Sequence, residues 1–262
     1  MSDAPNGIRA AYDAAASAWA HGPAAAYEVM ADILVSAAAT ALKAAKVLDL
    51  GAGTGTAARA ARRAGSGWIV GVDVAQEMLR AGSGWDDVVV CAAAALPFAE
   101  HSFDLVVAAF CLGHLPAPDR ALVEARRVAP SLVASAFLNG WTHPAKTVVD
   151  SVAGRYGYEV PEWYQWLKNE GETEIDDPAR LRALALGAGY DQAETEVYDV
   201  DVDVGTPSQL TGWRLGMAHL APFVATLDPT DGSDLVRDCE RELVGAPPLV
   251  VPMVVLVAVA HG

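Results

Sequence analysis

The most constraining stretch of this chain is Val47-Leu-Asp-Leu-Gly-Ala-Gly-Thr-Gly-Thr56, where a short apolar run breaks directly into Gly51, Gly53 and Gly55 before helix-forming residues resume at Thr56–Arg63. Glycines belong where the backbone turns sharply or must approach a ligand with no Cβ in the way. The helix that follows offers unpaired N–H groups at its start. Eighteen residues past Gly55, just beyond the apolar run Trp68–Val72, stands Asp73. A carboxylate at that strand tip accepts from both hydroxyls of a ribose, the nucleotide-binding device of open α/β sheets. A dinucleotide fingerprint wants its third glycine at position 56, which is Thr here, and this disfavours a diphosphate site.

The alternation continues along the chain. Val88–Cys91, Phe103–Ala109 and Leu132–Phe137 are further apolar runs, with helical segments at Ala75–Arg80 and Asp119–Val128. Repeated strand, helix and strand imply right-handed crossovers and a parallel sheet. Residues 7–45 read as helices, one through Ile8, Tyr12 and Trp19, then a Gly22-Pro23 break, then a stripe through Val29, Ile33 and Leu34. Between Asn139 and Asp177 come Trp141, Tyr156, Tyr158, Trp163, Tyr164 and Trp166 with no strand signal, which reads as a helical insertion. A helix over 178–188 stops at Gly187 or Gly189, and Thr206-Pro207 opens another. Glu194–Val204 alternates as a strand with Asp199, Asp201 and Asp203 on its wet face, and no metal site is read from them. Val250–Ala260 is near-continuously apolar, as a strand buried on both faces must be.

Composition narrows the partners. Hydrophobic residues make up 53% of the 262, enough for one large buried core, while 18 Lys+Arg against 33 Asp+Glu leave a formal charge of -15. Such a surface repels phosphate backbones and anionic lipid, so nucleic acid and membranes are poor partners. Cys91, Cys111 and Cys239 form no CxxC pair, and Met1–Pro5 lacks the basic and apolar features of a secretory signal. A reducing, cytoplasmic setting is the expectation.

The blocks Val47–Thr56, Gly71–Leu79, Leu96-Pro-Phe98, Ser102–Val107, Leu112–Pro116 and Arg126–Pro130 resemble the class I S-adenosylmethionine-dependent methyltransferases. Within them the pattern is most similar to the small-molecule group that includes ubiquinone/menaquinone-type C-methyltransferases, and it covers roughly residues 10–137. The resemblance implies an α/β, Rossmann-like domain spanning 1–262: a seven-stranded, mostly parallel sheet whose last strand inserts antiparallel, a helical lid over 1–45 and a helical cap insertion over 140–175. It also implies S-adenosyl-L-methionine as cofactor and methyl transfer to a small molecule. Carried over by position, Asp49 and the backbone of Gly51 and Gly53, with Ala52 and Gly55 in the same loop, would hold the amino-acid end of the cofactor. Asp73 would take the ribose, Val74 and Met78 would flank the adenine, Leu96–Phe98 would shape the loop beneath it, and Phe110 would lie near the sulfonium. Relatives carry an adenine-binding Asp where this chain has Ala92, beside Ala93. The adenine amino group must then find a backbone carbonyl, a water, or the carboxylate of Asp86 or Asp87. A second departure is Ser131, directly after Pro130, where relatives have two glycines.

Methyl transfer from a sulfonium needs alignment and exclusion of water, and a base only if the acceptor loses a proton. His114, past the fourth strand, His143, past the fifth, and Tyr12 on the N-terminal helices are the candidates, with Tyr27 as a second tyrosine near the pocket. Each has a structural alternative: a loop histidine bonded to backbone, or a tyrosine packed in the core. His21 is weakly placed and His101 reads as surface. The aromatic insertion either anchors a cap or lines an acceptor pocket, apolar or built as a cage for a cation. Three rival functions remain open on sequence alone: a non-methylating cyclisation or rearrangement with the same cofactor, a nicotinamide-dependent oxidoreductase, and a non-catalytic binding subunit.

Overall fold

The computed structural model describes residues 7–261. The leader reading at Met1–Pro5 and the first six residues of the 1–45 segment lie outside the described residues. Seven strands form one sheet: β1 (Lys46–Leu50), β2 (Trp68–Asp73), β3 (Asp87–Val90), β4 (Leu105–Ala109), β5 (Ser131–Phe137), β6 (Gln192–Asp201) and β7 (Val250–Val259). Their order is β3-β2-β1-β4-β5-β7-β6. The first five pair in parallel, and β7 inserts antiparallel between β5 and β6. Strand order reverses between β1 and β4, which opens a crevice at the carboxyl ends of the strands where ligands of open α/β sheets bind.

The helices are α1 (Ile8–His21), α2 (Ala24–Ser36), α3 (Ala39–Leu42), α4 (Thr56–Arg63), α5 (Gln76–Ala81), α6 (Pro118–Val128), α7 (Pro144–Arg155), α8 (Glu162–Trp166), α9 (Pro178–Gly187), α10 (Pro207–Leu215), α11 (Ala221–Val224) and α12 (Pro229–Glu242). Four of them start on one local pattern, a capping side chain followed by proline. His143, Asp177, Thr206 and Asp228 each accept a backbone N–H of the first turn of α7, α9, α10 and α12, and a proline follows each. Proline at the first helical position loses no hydrogen bond and presets φ, so these starts are written locally. Thr206 closes a full capping box with Gln209.

Alternation along the strands splits the core between the two sheet faces. On β7, Val251, Met253 and Val255 face the side packed by α2, α4, α7, α10 and α12, while Val254, Leu256 and Ala258 face α6 and α9. That two-sided burial is why the run carries no polar residue. On β6 the exposed face carries Asp199 and Asp201. Among the described residues no group of three or more His, Cys, Asp or Glu is placed to hold a metal, and no helix is long and apolar enough to cross a membrane. The segment after β5 is helical, with α7 and α8 followed by a π-helical turn over Leu167–Gly171 and a 3-10 turn over Glu172–Glu174.

Candidate active site

The loop after β1 holds Gly51, Gly53 and Gly55 at φ 68°, 54° and 84°, the left-handed region that residues with a Cβ resist. At Gly53 a Cβ would meet only the Cε of Met78, at 3.5 Å, so bare backbone faces the cavity that both residues line. Gly55 serves another purpose. Its Cβ would come within 2.6 Å of the Trp85 ring, so this glycine clears space for the chain packed behind the loop and is not a wall of the cavity.

Asp49 is buried one layer beneath that loop. Its Oδ2 accepts from the backbone N–H of Ala58 at 3.0 Å, in the first turn of α4, so a strand residue caps the helix that follows it. Burial pushes its carboxyl up to about 7. Asp49 does not reach the cavity wall, and where resemblance implied a direct hold on the cofactor, it holds the glycine loop and α4 in register instead.

Asp73 ends β2 and faces the loop. Oδ2 accepts from Gly53 N–H at 2.9 Å and Oδ1 from Ala75 N–H at 2.8 Å. Each ionised carboxylate oxygen offers about two acceptor sites, which leaves one per oxygen for a ligand. Burial raises its pKa and the backbone hydrogen bonds counter that.

These groups line a cavity enclosing about 930 Å³ of empty space, part of it open to solvent. Its floor is Leu50–Thr54 with Val72 and Asp73, and its sides are Val74, Met78, Ala109 and Phe110. Helices α1 and α2 supply Ile8, Arg9, Tyr12, Trp19 and Tyr27. Phe110, just past β4, sits at φ 53°, a strained backbone for a bulky residue, held by packing against Tyr27 and Phe137. At the far end Cys91 and Ala93 reach the cavity, while Ala92 between them is exposed and faces away, as neighbours on an extended segment must. The carboxylates proposed as substitutes at this end are elsewhere. Asp86 is committed to Arg62 Nη2 and to Ile69 N–H, and Asp87 stands at the start of β3, the end of that strand away from Cys91. The Leu96–Phe98 loop is held by α6: Glu124 accepts from Leu96 N–H, and Arg127 donates to the carbonyls of Leu96 and Phe98.

Two of the candidate catalytic residues meet. The Tyr12 hydroxyl lies 2.8 Å from Nε2 of His114, across 102 residues of sequence. Burial pushes the His114 pKa down to about 4, so the ring is neutral near pH 7, and burial raises the Tyr12 pKa. His114 Nδ1 is buried with no protein partner. His143 does not join them. It caps α7 through Nδ1, and its Nε2 lies 3.1 Å from the carbonyl oxygen of Pro247, so both ring nitrogens serve backbone. His21 and His101 are exposed.

Tyr12, Tyr27 and His114 wall a second, smaller cavity as well, about 470 Å³ of empty space when its opening to solvent is included. The aromatic insertion divides there by residue: Trp141, Trp163 and Tyr164 line it, with Phe137 and Trp213 from other segments. Tyr156 instead bonds Asp238, and Tyr158 packs on Phe223.

A family model for a methyltransferase domain matches residues 48–131. The ubiquinone/menaquinone biosynthesis C-methyltransferase UbiE of Paraburkholderia phytofirmans is 32% identical over 169 residues, covering 56% of this chain and 67% of that protein. The chain belongs to the class I S-adenosylmethionine-dependent methyltransferases. The Bordetella avium UbiE is 40% identical over 128 residues, 41% of this chain and 50% of its own length. The chain thus spans between half and two thirds of the length of such curated relatives. Two solved structures share the fold at low identity. One is from Anabaena variabilis, assigned as a methyltransferase of an antibiotic biosynthesis pathway (TM-score 0.58, 14% identity, 85% of this chain and 95% of that one). The other is the [4+2]-cyclase SpnF (TM-score 0.53, 18% identity, 90% and 81%).

The residues present suit the cofactor of this methyltransferase family. The cavity offers a carboxylate with free acceptor sites for a ribose diol and bare backbone at Gly53, and Arg9 is the one Lys or Arg side chain on its wall among the described residues. A sulfonium cation fits such a wall, and a diphosphate would lack countercharges. The charged side of the second cavity escaped sequence reasoning. Lys146, Lys168 and Arg214 come from three separate segments, and no motif marks them.

Proposed function

We propose that this protein binds S-adenosylmethionine in the larger cavity and transfers its methyl group to a small-molecule acceptor held in the second. The observation that carries this is the shared wall: Tyr12, Tyr27 and His114 border both cavities, so cofactor and acceptor would meet at one junction. The bound sulfonium supplies an electrophilic methyl group. Asp73 takes the ribose hydroxyls, the backbone at Gly51 and Gly53 holds the amino-acid end, and Phe110 with Tyr27 screens the transfer path from water. Where the acceptor must lose a proton, Tyr12 and His114 would act as a relay: the Tyr12 oxygen takes the acceptor's proton as its own hydroxyl proton passes to Nε2 of His114. The segment 7–45 acts as a lid and 140–175 as a cap on one domain. We place the enzyme in the cytoplasm, acting on a biosynthetic intermediate, in line with its cysteines, which are all free.

The test is incubation with S-adenosylmethionine and candidate acceptors, followed by product mass. One added methyl with accumulation of S-adenosylhomocysteine supports transfer, while an unchanged product mass with a rearranged skeleton points to the cyclase chemistry that SpnF carries on this fold. His114→Asn should cut kcat by about a hundred-fold, a larger loss than any it causes in affinity for S-adenosylhomocysteine.

A further inference from the structure

The second cavity carries positive charge in a chain that is otherwise strongly acidic. Of the four lysines, Lys43, Lys46, Lys146 and Lys168, two stand on its wall, beside Arg214. Two of the three cations there are matched. Arg214 pairs with Asp150 through Nε at 2.9 Å and Nη2 at 2.6 Å, and Lys168 pairs with both oxygens of Glu172 at 2.5 and 2.6 Å. Among the described residues Lys146 has no carboxylate partner. Its Nζ lies 3.3 Å from the Trp141 carbonyl oxygen and 4.2 Å from the centre of the Trp141 ring. It also stands in the first turn of α7, where the helix dipole already points its positive end. A half-buried ammonium that opposes the dipole and lacks an ion partner contributes little to folding. Desolvation, Lys168 and Arg214 lower its pKa to about 8, against the pull of Glu172 and Asp150.

We propose that the acceptor is a flat, largely apolar acid whose carboxylate pairs with Lys146, the cation on this wall that no carboxylate of the described residues matches. Aromatic rings on the wall suit a flat guest: Phe137 and Trp141, stacked on each other at 5.3 Å, line the cavity with Tyr164, which lies parallel to His219 at 3.8 Å. A cationic acceptor, the natural guest of an aromatic cage, meets an unmatched ammonium at Lys146 here, while Lys168 and Arg214 are paired with Glu172 and Asp150. His219, whose Nε2 is buried without a partner, is one more donor or acceptor on the same wall. The inference deepens the acceptor-site reading above and rests on it.

The experiment uses the full chain saturated with S-adenosylhomocysteine, and its binding is measured first, so that failure of the cofactor reading registers separately. Benzoate, naphthoate and anthracenecarboxylate are then titrated against their primary amides, with tryptophan fluorescence and calorimetry as readouts. At least one acid should bind about ten-fold or more tightly than its amide. Lys146→Met should abolish that preference and leave the S-adenosylhomocysteine affinity unchanged, and Lys146→Arg should retain it. Equal affinity for acid and amide, no binding of any of the three acids, or a preference that survives in Lys146→Met would overturn the proposal. The comparison of acid with amide on the unmodified protein decides the matter even if a variant folds poorly.

Discussion

Asp73→Asn tests the ribose site most directly. In the folded protein both carboxylate oxygens already serve backbone: Oδ2 takes Gly53 N–H at 2.9 Å and Oδ1 takes Ala75 N–H at 2.8 Å. The amide keeps one oxygen and turns its NH₂ toward one of those N–H groups, donor against donor. For the ligand, one hydrogen bond to a charged acceptor disappears, at about 1.5–3 kcal/mol, and the other drops to a neutral bond, a further loss of about 1 kcal/mol. The sum is about 3 kcal/mol, or a loss of affinity above about a hundred-fold. The orphaned backbone N–H adds a separate cost of about 1–3 kcal/mol that appears in unfolding. Calorimetry with S-adenosylhomocysteine reads the first quantity and urea unfolding the second. Adenosine and its dideoxy analogue complete a cycle: the variant should weaken adenosine binding and leave the analogue, which has no diol, unaffected. If the variant bound S-adenosylhomocysteine within three-fold of the unmodified protein, Asp73 would not be the ribose acceptor and the reasoning would fail.

Three further outcomes follow from the geometry. Gly53→Ala should cost about 1 kcal/mol in stability, because its φ of 54° is only moderately strained and its Cβ meets nothing closer than Met78, yet binding should fall sharply; Gly55→Ala should unfold far more readily, its Cβ running into Ser83 and Trp85. Urea melts and S-adenosylhomocysteine titrations on both variants separate the two roles. Asp49, raised from 3.8 to about 7 by burial, favours the folded state while it is protonated; that contribution is whole below its unfolded pKa and is lost as pH rises through about 7, a change of about 4 kcal/mol. Asp49→Asn should therefore gain stability relative to the parent on going from pH 4 to pH 8, and a constant difference across that range would refute the assignment. Asp150→Asn strips the buried Arg214 of its partner and should destabilise by about 3–5 kcal/mol in urea, much of it recovered by pairing the change with Arg214→Met.

Parts of the site were legible because their signals are local. The glycine loop needs residues without a Cβ where it turns, the acid at the tip of β2 falls at a spacing set by one crossover, and an apolar run with no polar alternation marks a strand covered on both faces. Helix α12 was not anticipated, although Asp228-Pro229 bears the same capping pattern that announced α10 at Thr206-Pro207. Motif transfer was weaker where it concerned orientation. Asp49 and Ala92 occupy the expected positions in the chain, but one turns under α4 and the other turns outward.

By itself the sequence determined the crevice: which strands make it, which loop is bare and which acid waits beside it, since each follows from steric and hydrogen-bonding rules acting within a few residues. Tertiary structure alone decided what stands opposite. Tyr12 finds His114 across the whole first half of the sheet, His143 spends both nitrogens on backbone, and Lys146 ends near two cations whose carboxylates are already engaged. Such encounters depend on how helices pack, and packing joins residues whose separation along the chain carries no trace of their meeting.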